Sequence, residues 1–245
     1  MIKRKQQQVS QPSGESGFTI IESLVAIIVV AILLAAIAPT IVIATATRVQ
    51  SKRVELATQA ARTFIDGVKT GAVTTPATTI TLLQSTDATR SLADNLLTTS
   101  ATSMPVPTAS TSTSLYCVTK DANNNLTIAN PTTPICTSTL FYIQAVKIIG
   151  AGSTPINTTT GLPIDGYGLG IRVYRSDIDF TKTANASDSS SNKKQNPFTG
   201  TLGNTQSPLV EMTTVIASKN TSFNALCQRL AIPATTPVTT NTTCN

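Results

Sequence analysis

The chain places one carboxylate inside its only long apolar run. From Phe18 to Ala44 the sequence reads FTIIESLVAIIVVAILLAAIAPTIVIA, and Glu22 is the only charged residue within it. A charge near the centre of a bilayer costs roughly 2.5–3.5 kcal/mol, so this carboxylate requires a partner. The chemistry that its position allows is pairing with a cation, and a new N-terminus one helical turn earlier would supply one.

The composition argues against an enzyme. The chain has no histidine, which excludes Ser-His-Asp and Cys-His catalysis and removes the commonest zinc ligand. It has no tryptophan and only 4% aromatic residues, so stacking platforms for nucleic acid are not expected. The net charge is +6, and the basic residues other than Lys3, Arg4 and Lys5 are scattered along the chain. We therefore predict no catalytic site, no cofactor and no nucleic-acid partner. We also predict no metal site, because Asp165, Asp177 and Asp179 lack EF-hand spacing.

Four cysteines follow the apolar run, at Cys117, Cys136, Cys227 and Cys244. An even number in an exported domain indicates disulfides, and four cysteines allow three pairings. Nearest-neighbour pairing joins Cys117 to Cys136 and Cys227 to Cys244, and loops of that size each stabilise by about 3 kcal/mol. Pairing of Cys227 with Cys117 or Cys136 is the open alternative.

Two ordinary interpretations explain the N-terminal segment only in part. A secretory signal could end at Ala36-Ile37-Ala38, but its apolar core should be roughly 7–15 residues long, and this run is longer. A single-pass anchor needs about 20 apolar residues and would keep Lys3, Arg4 and Lys5 in the cytoplasm. Neither interpretation explains Glu22 or the glycine before Phe18.

The order Gly17-Phe18-Thr19-Ile20-Ile21-Glu22 resembles the class III signal of type IV pilins and pseudopilins. The resemblance implies that a prepilin peptidase cleaves between Gly17 and Phe18 and methylates the new Phe18 amine. It also implies that Glu22 of one subunit neutralises the Phe18 amine of a neighbour during assembly. The expected partners are this peptidase, other pilin or pseudopilin subunits, the inner-membrane assembly platform and the membrane.

The apolar run continues into an amphipathic segment. Between Arg48 and Val68, apolar residues recur at steps of three and four, which is the period of a helix with one buried face. We predict one helix from about Phe18 to about Lys69. Pro39 lies within it and removes a backbone hydrogen bond, and in pilin-type helices a proline at this place marks a kink. The apolar residues of the predicted face are Val54, Ala57, Ala61, Phe64, Ile65 and Val68.

The remaining sequence predicts a β-rich head. Its strand-like segments contain β-branched and aromatic residues with partial alternation, and turn residues separate them at Asn123–Asn125 and Asp165-Gly166. Separate runs of helix and strand favour an α+β fold in which the long helix packs on an antiparallel sheet, as in pilins. The polar Lys182–Asn196 stretch is predicted to be a loop, and a short helix is predicted near Ser91–Leu97. The predicted strands are Ser114–Lys120, Leu140–Ile149, Gly168–Ser176 and Leu209–Ser218.

The predicted organisation has three parts: a leader at 1–17, a helix at 18–72 and a periplasmic head at 73–245. The segments 46–73 and 165–177 are similar to the cyanobacterial hormogonium polysaccharide secretion pseudopilins of the HpsB family. This similarity implies a subunit of a pilus-like filament that supports polysaccharide secretion and gliding motility, with polysaccharide as a candidate partner. The protein would be a single-pass inner-membrane protein before it enters an extracellular pilus. The alternatives are a membrane-anchored binding module that never polymerises and a type II secretion-type pseudopilin.

Overall fold

The computed structural model describes residues 19–81, 104–108, 114–131, 136, 138–149, 156–187, 193–195 and 203–222. The chain separates into two compact units, with the boundary between Thr45 and Ala46. The first unit contains the apolar part of the helix, and the second contains the amphipathic part together with the head. The predicted helix at 91–97 lies outside the described residues.

Helix α1 runs from Ile20 to Thr70, close to the predicted span. It continues past Gly67 and ends where Gly71 adopts a left-handed conformation with φ of +76°. The Gly71 N–H then donates to the Val68 carbonyl at 3.3 Å, and the Val73 N–H donates to the Gly67 carbonyl at 3.0 Å. These bonds satisfy carbonyls that the end of a helix would otherwise leave unpaired.

Six described strands form one sheet in the order β3-β2-β4-β5-β6, with β1 also paired to β4. The four predicted strands are confirmed as β2, β4, β5 and β6, and they pair with one another in antiparallel orientation. The prediction missed β1 and β3, which contain three and four residues and are too short to show a periodic pattern. The strands are β1 Thr79–Thr81, β2 Tyr116–Lys120, β3 Leu126–Ala129, β4 Phe141–Ile149, β5 Tyr167–Arg175 and β6 Val210–Ile216.

Strand β1 departs from the expected antiparallel pattern, because it runs parallel to β4. The pairing begins where the Lys147 N–H donates to the Thr78 carbonyl at 2.9 Å. On the same edge of β4, strand β2 pairs with Phe141–Ile143 of β4, whereas β1 pairs with Lys147–Ile149 of β4. Two short strands therefore share this edge, and the sheet is antiparallel apart from β1.

The amphipathic part of α1 packs on one face of the sheet, as predicted. All five of its predicted core residues from Ala57 to Val68 are buried, Val54 is partly buried, and Ala60 is also buried. Phe64 packs edge to face on Tyr116, with ring centroids 4.7 Å apart. The Tyr116 hydroxyl donates to the Thr74 carbonyl at 2.9 Å, and burial raises its pKa to about 12. Such rings stabilise beyond the area they bury, so this pair anchors the helix on the sheet.

The opposite face of the sheet is also covered. Every residue of β5 is buried, which requires packing on both faces because successive side chains point in opposite directions. Tyr142 packs edge to face on Phe180 at 5.3 Å, and Met104 packs on Val146 and Ile148. The covering segments are residues 104–108 and 177–187, which are loops rather than a second helical layer.

The predicted turns are confirmed at both places. Asn124 has φ of +67° in the hairpin between β2 and β3, where the Asp121 carboxylate accepts the N–H groups of Asn123 and Asn125 at 2.8 Å each. These hydrogen bonds hold the pKa of Asp121 below its usual value, and the one from the Asn125 N–H contributes most. The second turn contains Gly166, with φ of +77°.

Replacing Gly166 with alanine is expected to destabilise the head by at least about 2 kcal/mol. A Cβ at this position would lie 2.3 Å from the Ile216 carbonyl oxygen, so backbone must move, and the left-handed conformation adds roughly 1–2 kcal/mol. Gly161→Ala is the matched control, because Gly161 also has positive φ but nothing lies within 4 Å of its added Cβ. The free energy of unfolding of each variant is measured by urea unfolding followed by tyrosine fluorescence. An equal loss in both variants would contradict the prediction.

Candidate processing and assembly site

Thr19 caps the first turn of α1. Its hydroxyl oxygen accepts the Glu22 N–H at 3.2 Å, and its carbonyl accepts the Ser23 N–H at 3.1 Å. The Ser23 hydroxyl donates to the Ile20 carbonyl at 2.8 Å. Thr-x-x-Glu is the sequence pattern of a capping box, and this pattern would have predicted the cap, although our sequence interpretation missed it. The cap places Glu22 in the first turn, where the helix dipole favours an anion.

Glu22 is exposed, and the described residues offer it no cation. The ion pairs among these residues join Arg172 to Glu211, Arg175 to Asp177, and Lys182 to Asp179. Gly17 and Phe18 lie outside the described residues, so the predicted pairing of Glu22 with a Phe18 amine stays a prediction. Within the part of the chain that the structure describes, Glu22 is therefore a carboxylate in an apolar run without an ion-pair partner.

The first unit presents an apolar surface around its helix. Exposed large side chains run from Ile20 to Ile43, and the described residues contain one helix long and apolar enough to cross a membrane. Exposed apolar surface of this extent marks contact with lipid or with other chains. The Thr40 hydroxyl donates to the Ile37 carbonyl at 2.7 Å, so this polar side chain is satisfied within the helix. Pro39 lies inside α1, and its kink stays a prediction.

A buried ion pair lies on the face of the sheet opposite α1. Arg172 is fully buried and its Nε lies 3.1 Å from Glu211 Oε1. The same guanidinium donates to the Met104 carbonyl and, at 3.4 Å, to Gln144 Oε1. Glu211 Oε1 also accepts the Ser187 N–H at 3.0 Å. One pair of charges therefore holds both covering segments on the sheet.

A pair of glutamines joins α1 to the loop between β5 and β6. Gln50 is the first buried residue of the helix, and its Nε2 donates to Gln195 Oε1. Gln195 Nε2 donates in turn to the Ser207 carbonyl at 3.2 Å and to the Asn204 carbonyl. Sequence reasoning missed this contact and the Arg172–Glu211 pair, because a polar residue in a periodic pattern carries no sign of a partner more than thirty residues away.

The structure bonds Cys117 to Cys136, which is one half of the nearest-neighbour pairing. The bridge joins β2 to residue 136, and both residues belong to the apolar cluster around Tyr142 and Tyr174. Neither of them is left for Cys227. Cys227 and Cys244 lie outside the described residues, so their pairing with each other stays a prediction.

Of the three aspartates with the residue type of calcium ligands, Asp177 and Asp179 already contact other side chains. Asp177 accepts from Arg175 Nε at 2.7 Å, and Asp179 accepts from the Thr181 hydroxyl at 2.6 Å and lies 3.2 Å from Lys182 Nζ. The Thr181 hydroxyl is the main reason that the pKa of Asp179 lies below its usual value. Among the described residues, no three acidic, cysteine or histidine side chains cluster in a way that could hold a metal ion.

Comparison with known proteins adds one finding at the N-terminus. The family model of the prokaryotic N-terminal methylation motif matches residues 12–38. Comparison with curated proteins and with solved structures gives no match.

The class of protein follows from the fold and the motif together. A long N-terminal helix packed on a largely antiparallel sheet is an α+β, pilin-like architecture. The methylation motif is the class III signal of type IV pilin-like proteins, and it contains Gly17, Phe18 and Glu22. The chain thus combines a pilin-like fold with the processing signal of that class.

Proposed function

We propose that this protein is a structural subunit of a type IV pilus-like filament. A prepilin peptidase removes residues 1–17 and methylates the Phe18 amine, and the mature chain stays in the inner membrane until it joins the filament. The observation that carries the proposal is the methylation motif at 12–38 on a helix whose first turn contains an exposed Glu22. The long apolar surface of the first unit supports it, because the same surface can contact lipid and then neighbouring subunits.

The proposed assembly contact is electrostatic. Cleavage creates an amine at Phe18, four residues before Glu22 and therefore about one helical turn away. In the filament, Glu22 of one subunit neutralises the Phe18 amine of the next. A buried ion pair often adds little net stability, but its best-supported role is to set register. Each incoming subunit would thus stop at one axial position.

The proposed topology follows from charge and length. Lys3, Arg4 and Lys5 favour a cytoplasmic leader by the positive-inside rule, which places the head in the periplasm before assembly. The proposed division is a leader at 1–17, a helix at 18–72 and a head at 73–245. Pro39 is the proposed kink, because its missing N–H leaves one helical hydrogen bond unmade.

We also propose that the filament supports polysaccharide secretion and gliding motility. The support is the similarity of segments 46–73 and 165–177 to HpsB-type pseudopilins. Deletion of the gene should lower released polysaccharide, and expression of the full chain should restore it. Normal polysaccharide release from a deletion strain that lacks the filament would overturn this role and leave the proposed assembly intact.

Gly17→Phe is expected to block leader removal, because a glycine lets the backbone enter a narrow peptidase site and a large side chain would obstruct it. Mass spectrometry of protein from membranes should show the wild-type chain beginning at N-methylated Phe18 and the variant beginning at Met1. Gly14→Phe is the matched control and should be processed normally. A Gly17→Phe protein of mature size would contradict the prediction, and an intact Met1 in the wild type would favour a membrane-anchored binding module that does not polymerise.

A further inference from the structure

A cavity of about 330 Å³ lies beside the C-terminal end of α1, and we call it the helix-end cavity. It is bounded by the last turn of the helix, the loop between β4 and β5, and the turn after β6. Its volume falls at the lower end of the range for small-molecule sites. The residues used in the argument are Lys69, Asn157, Thr160, Ile164, Ser218 and Lys219.

Short hydrogen bonds hold the walls of the cavity in place. The Asn157 N–H donates to the Leu162 carbonyl at 2.8 Å, and the Gly161 N–H donates to the Asn157 carbonyl at 2.8 Å. On the other side, the Ser218 hydroxyl donates to the Ile164 carbonyl, and the Thr221 hydroxyl donates to the Asp165 carbonyl at 2.9 Å. Because its walls are tied together, the cavity is preformed, which lowers the entropy lost on binding.

The rim of the cavity includes two side chains that can donate hydrogen bonds. Asn157 Oδ1 already accepts the N–H groups of Thr159 at 2.8 Å and Thr160 at 3.1 Å, so its amide nitrogen is the group that remains to donate. Thr160 Oγ1 accepts the Leu162 N–H at 3.4 Å, which leaves its hydroxyl proton to donate. These two groups suit a ligand that carries oxygen acceptors.

The charge of the lining points the same way. Lys69 and Lys219 both line the cavity and are exposed, and the lining residues include no acidic side chain. Lysine ammonium groups are three-proton donors with no acceptor, so the two lysines add positive charge to an already donor-rich rim. This combination favours an anion.

The floor of the cavity is partly apolar, which suits a ligand with an apolar face better than a bare inorganic ion. Leu162, Ile164 and Ile216 line it and are partly exposed. Apolar surface of this kind contacts the C–H face of a ring or an aliphatic stem, whereas a small hydrated anion would gain nothing from it. The ligand that matches the floor and the rim has an apolar face, several oxygen acceptors and one negative charge.

We propose that the helix-end cavity binds a uronic-acid unit of an acidic polysaccharide. The ring would lie on the apolar floor, its carboxylate would face Lys69 and Lys219, and its oxygens would accept from Asn157 and Thr160. The site extends the proposed role in polysaccharide secretion by naming the chemistry of the glycan. It does not depend on cleavage at Gly17 or on filament assembly, so its test is independent of theirs.

Titration calorimetry with the full-length chain in neutral detergent micelles tests the proposal. Tetragalacturonate is the acidic probe, and maltotetraose is the neutral probe of equal length. We expect saturable binding of tetragalacturonate alone, weakened by added salt because exposed charges are screened within about 10 Å at 0.1 M. Lys69→Gln and Lys219→Gln should each weaken binding about threefold, and together about tenfold.

Lys120→Gln is the matched control, because Lys120 is also exposed but lies at the end of β2 and does not line the cavity. It should bind tetragalacturonate as the wild type does. Equal binding of both oligosaccharides, unchanged binding in the double lysine variant, or no binding of tetragalacturonate would each overturn the proposal. Competition by inorganic sulfate at the same concentration as the oligosaccharide would also overturn it, because the site would then recognise only a charge.

Discussion

Glu22→Ala is expected to leave leader removal intact while it abolishes incorporation into filaments. Removal of one partner from a buried ion pair costs about 3–5 kcal/mol, because the remaining charge stays unpaired in an apolar environment. Here that charge would be the Phe18 ammonium of a neighbouring subunit. At 1.4 kcal/mol per tenfold change, such a cost corresponds to a loss of about two to three and a half powers of ten in affinity between subunits, which is enough to prevent growth of a filament.

The measurement compares the amount of this protein in sheared filaments with the amount in membranes. The N-terminal mass of the membrane-bound chain shows whether the leader has been removed. Glu22→Gln separates charge from size, since it keeps the shape of the side chain and should fail as alanine does. Ser23→Ala is the matched control, because Ser23 is an exposed neighbour whose hydroxyl bonds only its own helix among the contacts described above. Normal incorporation of the Glu22→Ala chain into filaments would contradict the proposed pairing of Glu22 with the Phe18 amine.

Glu211→Ala is expected to destabilise the head by about 3–5 kcal/mol, because it leaves the fully buried Arg172 without its counter-charge. The Glu211 side chain is only 5% exposed, so water cannot readily replace it. The variant also removes the acceptor for the Ser187 N–H, and the loop at 177–187 should become more open to proteases. A typical domain has only about 5–15 kcal/mol of stability, so this loss would lower the midpoint of unfolding strongly.

Urea unfolding of the full chain in detergent, followed by tyrosine fluorescence, measures this effect. The chain has no tryptophan and four tyrosines, all of them in the head. Asp177→Asn is the matched control: Asp177 also pairs with an arginine, but its side chain is 52% exposed, so the loss should stay below about 1 kcal/mol. The double variant Arg172→Met with Glu211→Leu should be more stable than Glu211→Ala, because it removes both charges. A Glu211→Ala chain as stable as Asp177→Asn would refute this role.

Local patterns predicted the long helix and most of the sheet. The three- and four-residue steps between Val54 and Val68 identified the face of α1 that is buried, because helical geometry alone places those residues together. The same logic of alternation identified β2, β4, β5 and β6. It could not find β1, because three residues show no period and because the parallel pairing with β4 joins residues more than sixty positions apart.

The processing signal was readable from the sequence, because its chemistry is local. Gly17, Phe18 and Glu22 lie within six residues, so the proposed new amine would lie only four residues before the carboxylate. The cap from Thr19 is equally local. The partner of Glu22 is not local: the described residues contain no cation paired with it, and its pairing with a second subunit is our proposal.

The contacts that only the tertiary structure decided are those between distant residues. In the sequence, Arg172 and Glu211 are two charges with no visible relation. The register of β5 and β6 sets them opposite each other. Gln50 and Gln195 come into contact only when the loop after β5 packs on the helix, and Lys69 and Lys219 line one cavity only in the folded head. The sequence by itself determined where the helix lies, which of its faces is buried and where the leader is expected to be cut, since each depends on neighbours within one or two turns. The choice of partners for buried charges depends on register between strands, and register is set only when the whole sheet packs on the helix.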